Sequence, residues 1–488
     1  MNLLARPFVI LVEKMFPESF VFAIGLSMVV FLACIGMTDA GPMETLGAWG
    51  DGLSGLLAFM AQIALTVLTS HALAHTRPVQ KVLSGVGGLP RKQWQAYALV
   101  VLVAGVASLF AWAFGLVVGA LLARQVAIEM KKRGVPVHYP LLVASAYAGF
   151  VIWHMGYSSS AGLAVATEGN ALQEQIGGVI PVSETIFAPW NMITAAVTLA
   201  AITVLMPLMS PKKGKEETVE ISQEAIDDFR RSQNELEEAL RGAAGKPTGK
   251  GGGQGASGAG GGKHAAPDPG DREEPVGRTI AQRLDSTRVL VLVPGIGLLV
   301  YLVHYFAVNG PALNLDIVNW SFLCLGLLFS RSILEYVKLI ANASVSVGQL
   351  LVQYPFYAGI MGMMSGTGFI VIVSDWFTAI STPMTLSFWA FISAGVLNLF
   401  VPSGGGQWAI QGPIFIEAAK TLGVDPSRIV MGVAYGDQWT NMAQPFFAIP
   451  LLAVAGIHVR KIMGYTIMVL FLTFFTFAGG LMLAGPGM

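Results

Sequence analysis

Residues 393–413 read SAGVLNLFVPSGGGQWAIQGP, an apolar run that ends in Pro402-Ser403 and three consecutive glycines. Residues 146–170 read AYAGFVIWHMGYSSSAGLAVATEGN, the same plan with Ser158-Ser159-Ser160 as the cluster. Each run carries a small pair, Ala148-Gly149 and Ala394-Gly395, eight or nine residues ahead of its cluster. A Trp/Asn/Met element follows in each half, PWNM at 189–192 and QWTNM at 438–442. The parts come in the same order, which reads as an internal duplication. Ser/Gly-rich backbone at membrane depth leaves N–H and C=O groups outside a helical ladder. That is tolerated only where protein or a water-filled cavity satisfies them. Three consecutive glycines break a helix sooner than they pack one, so a broken helix is expected at Pro402–Gln407. Scattered glycines such as Gly115 and Gly119 read instead as close helix packing.

The composition around these runs sets the class. Of 488 residues 54% are hydrophobic and 12% charged, against about 25% charged in soluble domains. Of the 58 charges, 26 fall within 210–285, leaving 32 for the other 412 residues. That excludes an ordinary soluble enzyme and a nucleic-acid binder, which needs a basic face. The two cysteines, Cys34 and Cys324, lie far apart in apolar runs, so no disulfide scaffold is expected. Long apolar runs without alternation exclude a β-barrel. The fold class is therefore an all-α polytopic membrane protein with about 10–12 membrane segments in two repeats, some of the segments re-entrant.

Three regions follow: an N-terminal membrane half at 1–209, a polar linker at 210–285 and a C-terminal half at 286–488. Within the linker, 216–241 is charged and helix-forming, while 241–270 holds 12 Gly and reads as a flexible tether. Ser19–Met37 reads as the first span and not as a cleaved signal peptide. The loop 39–51 has no Lys or Arg and reads as extracytoplasmic. Arg77, Lys81, Arg91 and Lys92 place 75–93 inside, and Lys212, Lys213 and Lys215 place the linker inside as well. One span is expected at about 94–121, which puts Lys131-Lys132-Arg133 on the wrong side. Either that stretch is an interfacial helix or a span before it is miscounted.

VPSGGGQWAIQGP (401–413) and AYGDQWTNMAQPFFAIPLL (434–452) closely resemble the short-chain fatty acid transporter family, bacterial carriers associated with acetoacetate and butyrate uptake within the ion transporter superfamily. PESFVFAIGLS (17–27), HMGYSSSAGLAVATEGN (154–170) and ETIFAPWNM (184–192) support the resemblance, which covers nearly everything outside 210–285. It implies a two-repeat carrier of small monocarboxylates in the cytoplasmic membrane, driven by H⁺ or Na⁺ with no cofactor. In the wider superfamily two re-entrant hairpins cradle the substrate carboxylate. The matching hairpins here fall near 156–170 and 402–413. Many carriers of that superfamily are dimers, so a homodimer enters as an implied assembly, although no residue marks it.

Substrate contact is assigned to Ser158, Ser159 and Ser160 in the first half and to Ser403, Gly404, Gly405, Gly406 and Gln407 in the second. Hydroxyls, amides and helix N-termini can hold and release one carboxylate each cycle, and no Arg or Lys lies in either cluster. Asn191 and Asn441, with Thr440, offer oxygens to substrate or Na⁺, or join helices. Asp437 sits in an apolar segment, where a carboxylate marks function by default. It could carry a coupling proton, balance a cation or cap a helix. His154 could relay protons or be structural. Trp190, Trp408 and Trp439 could wall an acyl pocket, or simply pack; Glu168 is a weaker candidate at a hairpin end. No metal centre is expected. The sequence has no GxxxxGK[ST], no HExxH and no GxSxG at the serines, which argues against an ATPase and an enzyme. A channel and a carrier of another organic anion, such as a dicarboxylate, are the other readings weighed.

Overall fold

The structure, a computed structural model, describes residues 19–211, 218–223, 226–227, 280, 284–285, 287–310, 312–344, 347–399, 402–443 and 447–486. Most of the helix-forming stretch 216–241 and all of the tether at 241–270 lie outside them. Every regular element among the described residues is helical. The first half runs α1 (Ser19–Met37), α2 (Pro42–Gly52), α3 (Leu57–Ala74), α4 (Arg77–Gly87), α5 (Gln93–Phe110), α6 (Trp112–Lys132), α7 (Tyr139–Phe150), α8 (Ser160–Ala166), α9 (Gln173–Ile176) and α10 (Pro189–Leu208). The second half runs α11 (Val289–Asn309), α12 (Leu315–Phe329), α13 (Ile333–Ser344), α14 (Gly348–Gly366), α15 (Phe369–Ile380), α16 (Leu386–Asn398), α17 (Gly404–Leu422), α18 (Pro426–Thr440), α19 (Ala448–Ala455) and α20 (Met463–Ala484).

A helix satisfies its backbone within one segment, the condition for standing in lipid. Among the described residues six helices, α3, α5, α6, α10, α11 and α20, are long and apolar enough to cross a membrane. A seventh candidate is the pair Leu351–Gly366 and Phe369–Ile380, bent by 81° at its break. Shorter apolar helices stand at Ala23–Met37, Leu315–Phe329 and Leu386–Asn398. The chain is a multi-pass α-helical membrane protein.

The single span expected at 94–121 is two. α5 stops at Phe110, Ala111 is extended (φ −157°, ψ 130°), and α6 starts at Trp112. The two helices run antiparallel with their small residues in contact. A Cβ built on Gly119 would lie 3.1 Å from the Ala104 Cβ, and one on Gly115 would overlap Ser108. At the far end the Arg133 guanidinium donates to the carbonyls of Pro90 (2.6 Å) and Gly88 (2.7 Å). Lys131–Arg133 therefore returns to the side of Arg91 and Lys92, and the conflict with the positive-inside rule disappears. The start of the linker docks on this same side. Tyr139 N–H donates to the Val219 carbonyl (2.8 Å), and Lys131 Nζ to that of Ile221 (2.9 Å). Ile221 and Ile226 are buried.

In the second half α17 lies between α16 and α18 in sequence and packs on both. Gly432 sits against Ser387, Gly436 against Phe391 and Ala394, and Thr440 against Gly395 and Asn398, so α16 and α18 run parallel. Glycines four apart let the two backbones touch. Gly423, in the left-handed region at φ 67°, ends α17, and Asp425 caps α18 through Ser427 N–H (2.8 Å). The largest apolar core draws on both halves, with Tyr147, Phe150 and Trp153 meeting Phe391, Tyr435, Phe447 and Phe477.

Candidate functional site

The helix is broken between Asn398, where α16 ends, and Gly404, where α17 begins, and the glycines themselves form the first turn of α17. Ser403 is the N-cap, its Oγ accepting from Gly406 N–H at 3.2 Å and donating to Tyr354 Oη at 3.4 Å. A Ser cap satisfies one of the free donors of the first turn, and the residues there must be glycine because the surroundings are full. A Cβ on Gly404 would lie 2.8 Å from His154 Cε1, and one on Gly406 would lie 2.6 Å from Tyr357 Cδ2. The serine cluster has the same local form. Ser159 caps α8, and its Oγ accepts from Gly162 N–H at 3.1 Å. Its counterpart to Ser403 is thus Ser159 and not Ser158. Ser158 Oγ instead donates to the Ser108 carbonyl on α5 (2.8 Å), and Ser160 is the first residue of α8. The Trp/Asn/Met elements are not equivalent: Asn191 is the third residue of α10, whereas Asn441 directly follows α18.

Polar side chains join the halves. His154 lies in a 3-10 turn (Trp153–Met155) after α7, and Asp437 is on α18; both are fully buried. His154 Nδ1 and Asp437 Oδ2 are 3.1 Å apart, Ala161 N–H reaches His154 Nε2 at 3.2 Å, and His154 N–H donates to Gln438 Oε1 at 2.9 Å. Asn191 Nδ2 donates to the carbonyls of Met155 (3.0 Å) and Ile186 (2.6 Å), while its Oδ1 accepts from Tyr435 Oη (2.8 Å). That makes it a cross-link from α10 to the backbone before it and to α18. Thr440 Oγ1 donates to the Gly395 carbonyl (2.8 Å), and Asn398 Nδ2 donates to Thr440 Oγ1 (2.9 Å) and to Asn441 Oδ1 (2.8 Å). Gln407 Nε2 donates to the Ala394 carbonyl (2.8 Å). Five buried atoms of this region have no protein partner: Asn398 Oδ1, Gln407 Oε1, Asp437 Oδ1, Gln438 Nε2 and Asn441 Nδ2. Buried polar groups are ordinarily bonded, so these atoms are free to take a further hydrogen bond.

A cavity of about 110 Å³ opens beside the first turn of α17, lined by Gly405, Trp408 and Ala409. Leu56, Phe59 and Gln62 of the α2–α3 region close one side, and Ala164 to Leu172 close another. No Lys or Arg lines it, and its one ionisable group, Glu168, is exposed. Thr167 and Glu168 also border a larger cleft of about 1390 Å³ between the α8–α10 connection and α11–α12. Of the three tryptophans only Trp408 lines the small cavity. Trp439 donates to the Leu470 carbonyl (2.8 Å), and Trp190 lies under the Arg428 guanidinium (4.7 Å).

The sequence profile of the short chain fatty acid transporter family matches residues 1–244 and 270–484. A relative from Escherichia coli K12, named for short-chain fatty acid transport, is 36% identical over 473 residues and 97% of each chain. One from Haemophilus influenzae Rd, with the same name, is 33% identical over 469 residues and 95% of each chain. The chain belongs to the short chain fatty acid transporter family. It is a transporter and not an enzyme. Two solved structures share the fold of this family member. MtrF of Neisseria gonorrhoeae, reported within a class of antimetabolite efflux pumps, has a TM-score of 0.56 at 14% identity, covering 98% of this chain and 97% of its own. The YdaH transporter of Alcanivorax borkumensis, reported for an unusual topology, has a TM-score of 0.53 at 11% identity, covering 96% and 99%.

Several residues that shape this transporter's site carry no signal in the local sequence. Phe59, Gln62 and Tyr354 come from helices far from either cluster in the chain. Asn398 does carry one: it is an amide inside the apolar run VLNLF just before the cluster. Gln438 sits within the QWTN motif, where its neighbours draw the attention.

Proposed function

We propose that this family member imports short-chain monocarboxylates such as acetoacetate and butyrate across the cytoplasmic membrane. It does so by alternating access, coupled to a gradient of H⁺ or Na⁺. The observation that carries the reading is the capped first turn of α17 beside the 110 Å³ cavity. Drug-sized ligands occupy about 300–1,000 Å³, so this space suits a much smaller molecule. The amides of Gly404 and Gly405 open α17 ahead of its own ladder and sit at its positive end, which favours a carboxylate. Leu56, Phe59 and Trp408 offer an apolar wall to a short acyl chain. Glu168 at the cavity's outer edge is unfavourable to a second carboxylate, which favours monocarboxylates over dicarboxylates.

The test is uptake of radiolabelled butyrate or acetoacetate into proteoliposomes, with a pH gradient or a Na⁺ gradient imposed in turn and succinate as competitor. Accumulation driven by either gradient and indifferent to succinate is the expected result. No accumulation of any short monocarboxylate, or accumulation of succinate instead, would overturn it. Substitution of Trp408 by leucine should lengthen the acyl pocket. Hexanoate should then compete with butyrate roughly tenfold better than in the parent protein, since a methylene in an apolar pocket is worth about 1–3 kcal/mol. An unchanged chain-length profile would remove Trp408 from the pocket wall.

A further inference from the structure

We propose that the coupling ion is a proton, that Asp437 Oδ1 is the atom that takes it up, and that His154 positions the carboxylate for this. The proposal rests on the carrier reading above and deepens it. The geometry begins with the imidazole. Its Nε2 accepts the Ala161 N–H (3.2 Å), so the ring proton lies on Nδ1 and is donated to Asp437 Oδ2 (3.1 Å). Both ring nitrogens are thereby engaged, and Trp153 stacks on the ring with centroids 4.2 Å apart. The His154 backbone is held as well, through Gln438 (2.9 Å).

Within the pair one basic position has no partner, Asp437 Oδ1. A carboxylate with no exposed surface and a single hydrogen-bonded oxygen is costly to keep charged inside a membrane. A proton on Oδ1 removes that cost and leaves the Nδ1–H···Oδ2 and N–H···Nε2 bonds in place. Loading forms the Oδ1–H bond with a proton given up by hydronium, and release returns that proton to water.

Few other titratable groups face this point. Tyr354 on α14 interacts with Asp437, while Tyr147 on α7 and Tyr435 and Arg428 on α18 turn to Asn441, Asn191 and Trp190. The sequences of α8, α10 and α16 contain no ionisable residue, that of α20 contains only Tyr465, and Glu417 and Lys420 of α17 pair with each other (3.6 Å). The pair lies against Gly404, one residue from the cavity lining. A Cβ on Gly404 would lie 2.8 Å from His154 Cε1 and 3.2 Å from Asp437 Oδ2, and Gly405 beside it lines the cavity. Loading of Oδ1 and occupation of the cavity therefore act on one turn of backbone, and each changes the free energy of the other.

The experiment uses the full chain in proteoliposomes and compares butyrate accumulation under a pH gradient with butyrate counterflow measured across pH. Asp437→Asn should lower gradient-driven accumulation at least about tenfold. It should also flatten the pH dependence of counterflow, which persists at a measurable rate. Asp437→Glu should restore gradient-driven accumulation in part, with a displaced pH midpoint. His154→Gln should displace that midpoint without removing it. Accumulation by Asp437→Asn under a pH gradient, or wild-type accumulation driven by Na⁺ alone, would overturn the proposal while leaving the carrier reading intact. Absence of counterflow in the wild-type protein would instead overturn the carrier reading. Should Asp437→Asn fail to elute as a monodisperse protein, an unmoved pH midpoint in Asp437→Glu overturns the proton site by itself.

Discussion

Gly405→Val should reduce butyrate uptake at least about a hundredfold while the protein still inserts and elutes normally. A Cβ at this position would overlap Tyr354 Oη and would lie 2.5 Å and 2.8 Å from Phe59 Cε1 and Cζ. Tyr354 is buried beside Ser403 and cannot swing to solvent. The Phe59 ring borders the 110 Å³ cavity, and moving it away from the introduced side chain costs that space. If Phe59 stays, the first turn of α17 must shift and carry the Ser403 cap with it. Either response removes the site. Helix propensity works the other way, since Gly is about 1 kcal/mol worse than Ala in a helix and Val about 0.5. A loss of transport is therefore attributable to overlap and not to a weaker helix. Uptake at the parental rate, with protein confirmed in the membrane, would place the substrate elsewhere.

Gly436→Val is expected to act on folding. Its Cβ would overlap the Phe391 carbonyl and lie 2.6 Å from the Ala394 Cβ and 2.7 Å from the Gly395 backbone nitrogen. Two of these are main-chain atoms of α16, and neither can rotate aside. Overpacking of side chains costs about 1–3 kcal/mol, and a clash with main chain stands at the top of that range. Because α16 and α18 also carry Asn398, Asp437 and Thr440, with Asn441 directly after α18, parting them scatters the polar network. The measurement is the thermal unfolding midpoint in detergent and the folded yield. Gly297→Ala on α11, with nothing within 4 Å of its Cβ, serves as the control and should hold stability or raise it by up to about 1 kcal/mol through helix propensity. A Gly436→Val protein as stable as that control would contradict the close contact of α16 and α18.

Much of the class is legible in the residues. Sparse charge and long apolar runs require a polytopic helical protein, and the SGGGQW and GDQWTN motifs carry the family. The two Ser/Gly clusters stand out because so many small and polar residues in an apolar run have no lipid-facing use. Two stretches show where local signal stops being enough. Three glycines at Pro402–Gln407 point to a broken helix because each carries a propensity cost of about 1 kcal/mol. The break falls just before them, and they start the next helix, where a Ser cap and three crowded contacts offset that cost. The stretch 94–121 reads as one span because Phe110-Ala111-Trp112 contains neither Gly nor Pro. A single extended residue turns the chain, and the antiparallel contact of Ala104, Ser108, Gly115 and Gly119 stabilises the reversal.

The sequence by itself determined that this is a multi-pass helical transporter of the short chain fatty acid transporter family, and it singled out two uncharged Ser/Gly clusters. Those are properties of composition, periodicity and local motif, and they need no knowledge of which helix meets which. Only the tertiary structure decided that His154 and Asp437, 283 residues apart, share a hydrogen bond at the seam of the halves. It also decided that Asn191 cross-links α10 to α18 and that Phe59 and Tyr354 close the space around Gly405. The physical reason is the same in each case. A side chain's role inside a membrane depends on which donors and acceptors it finds there, and those come from distant helices brought together by packing.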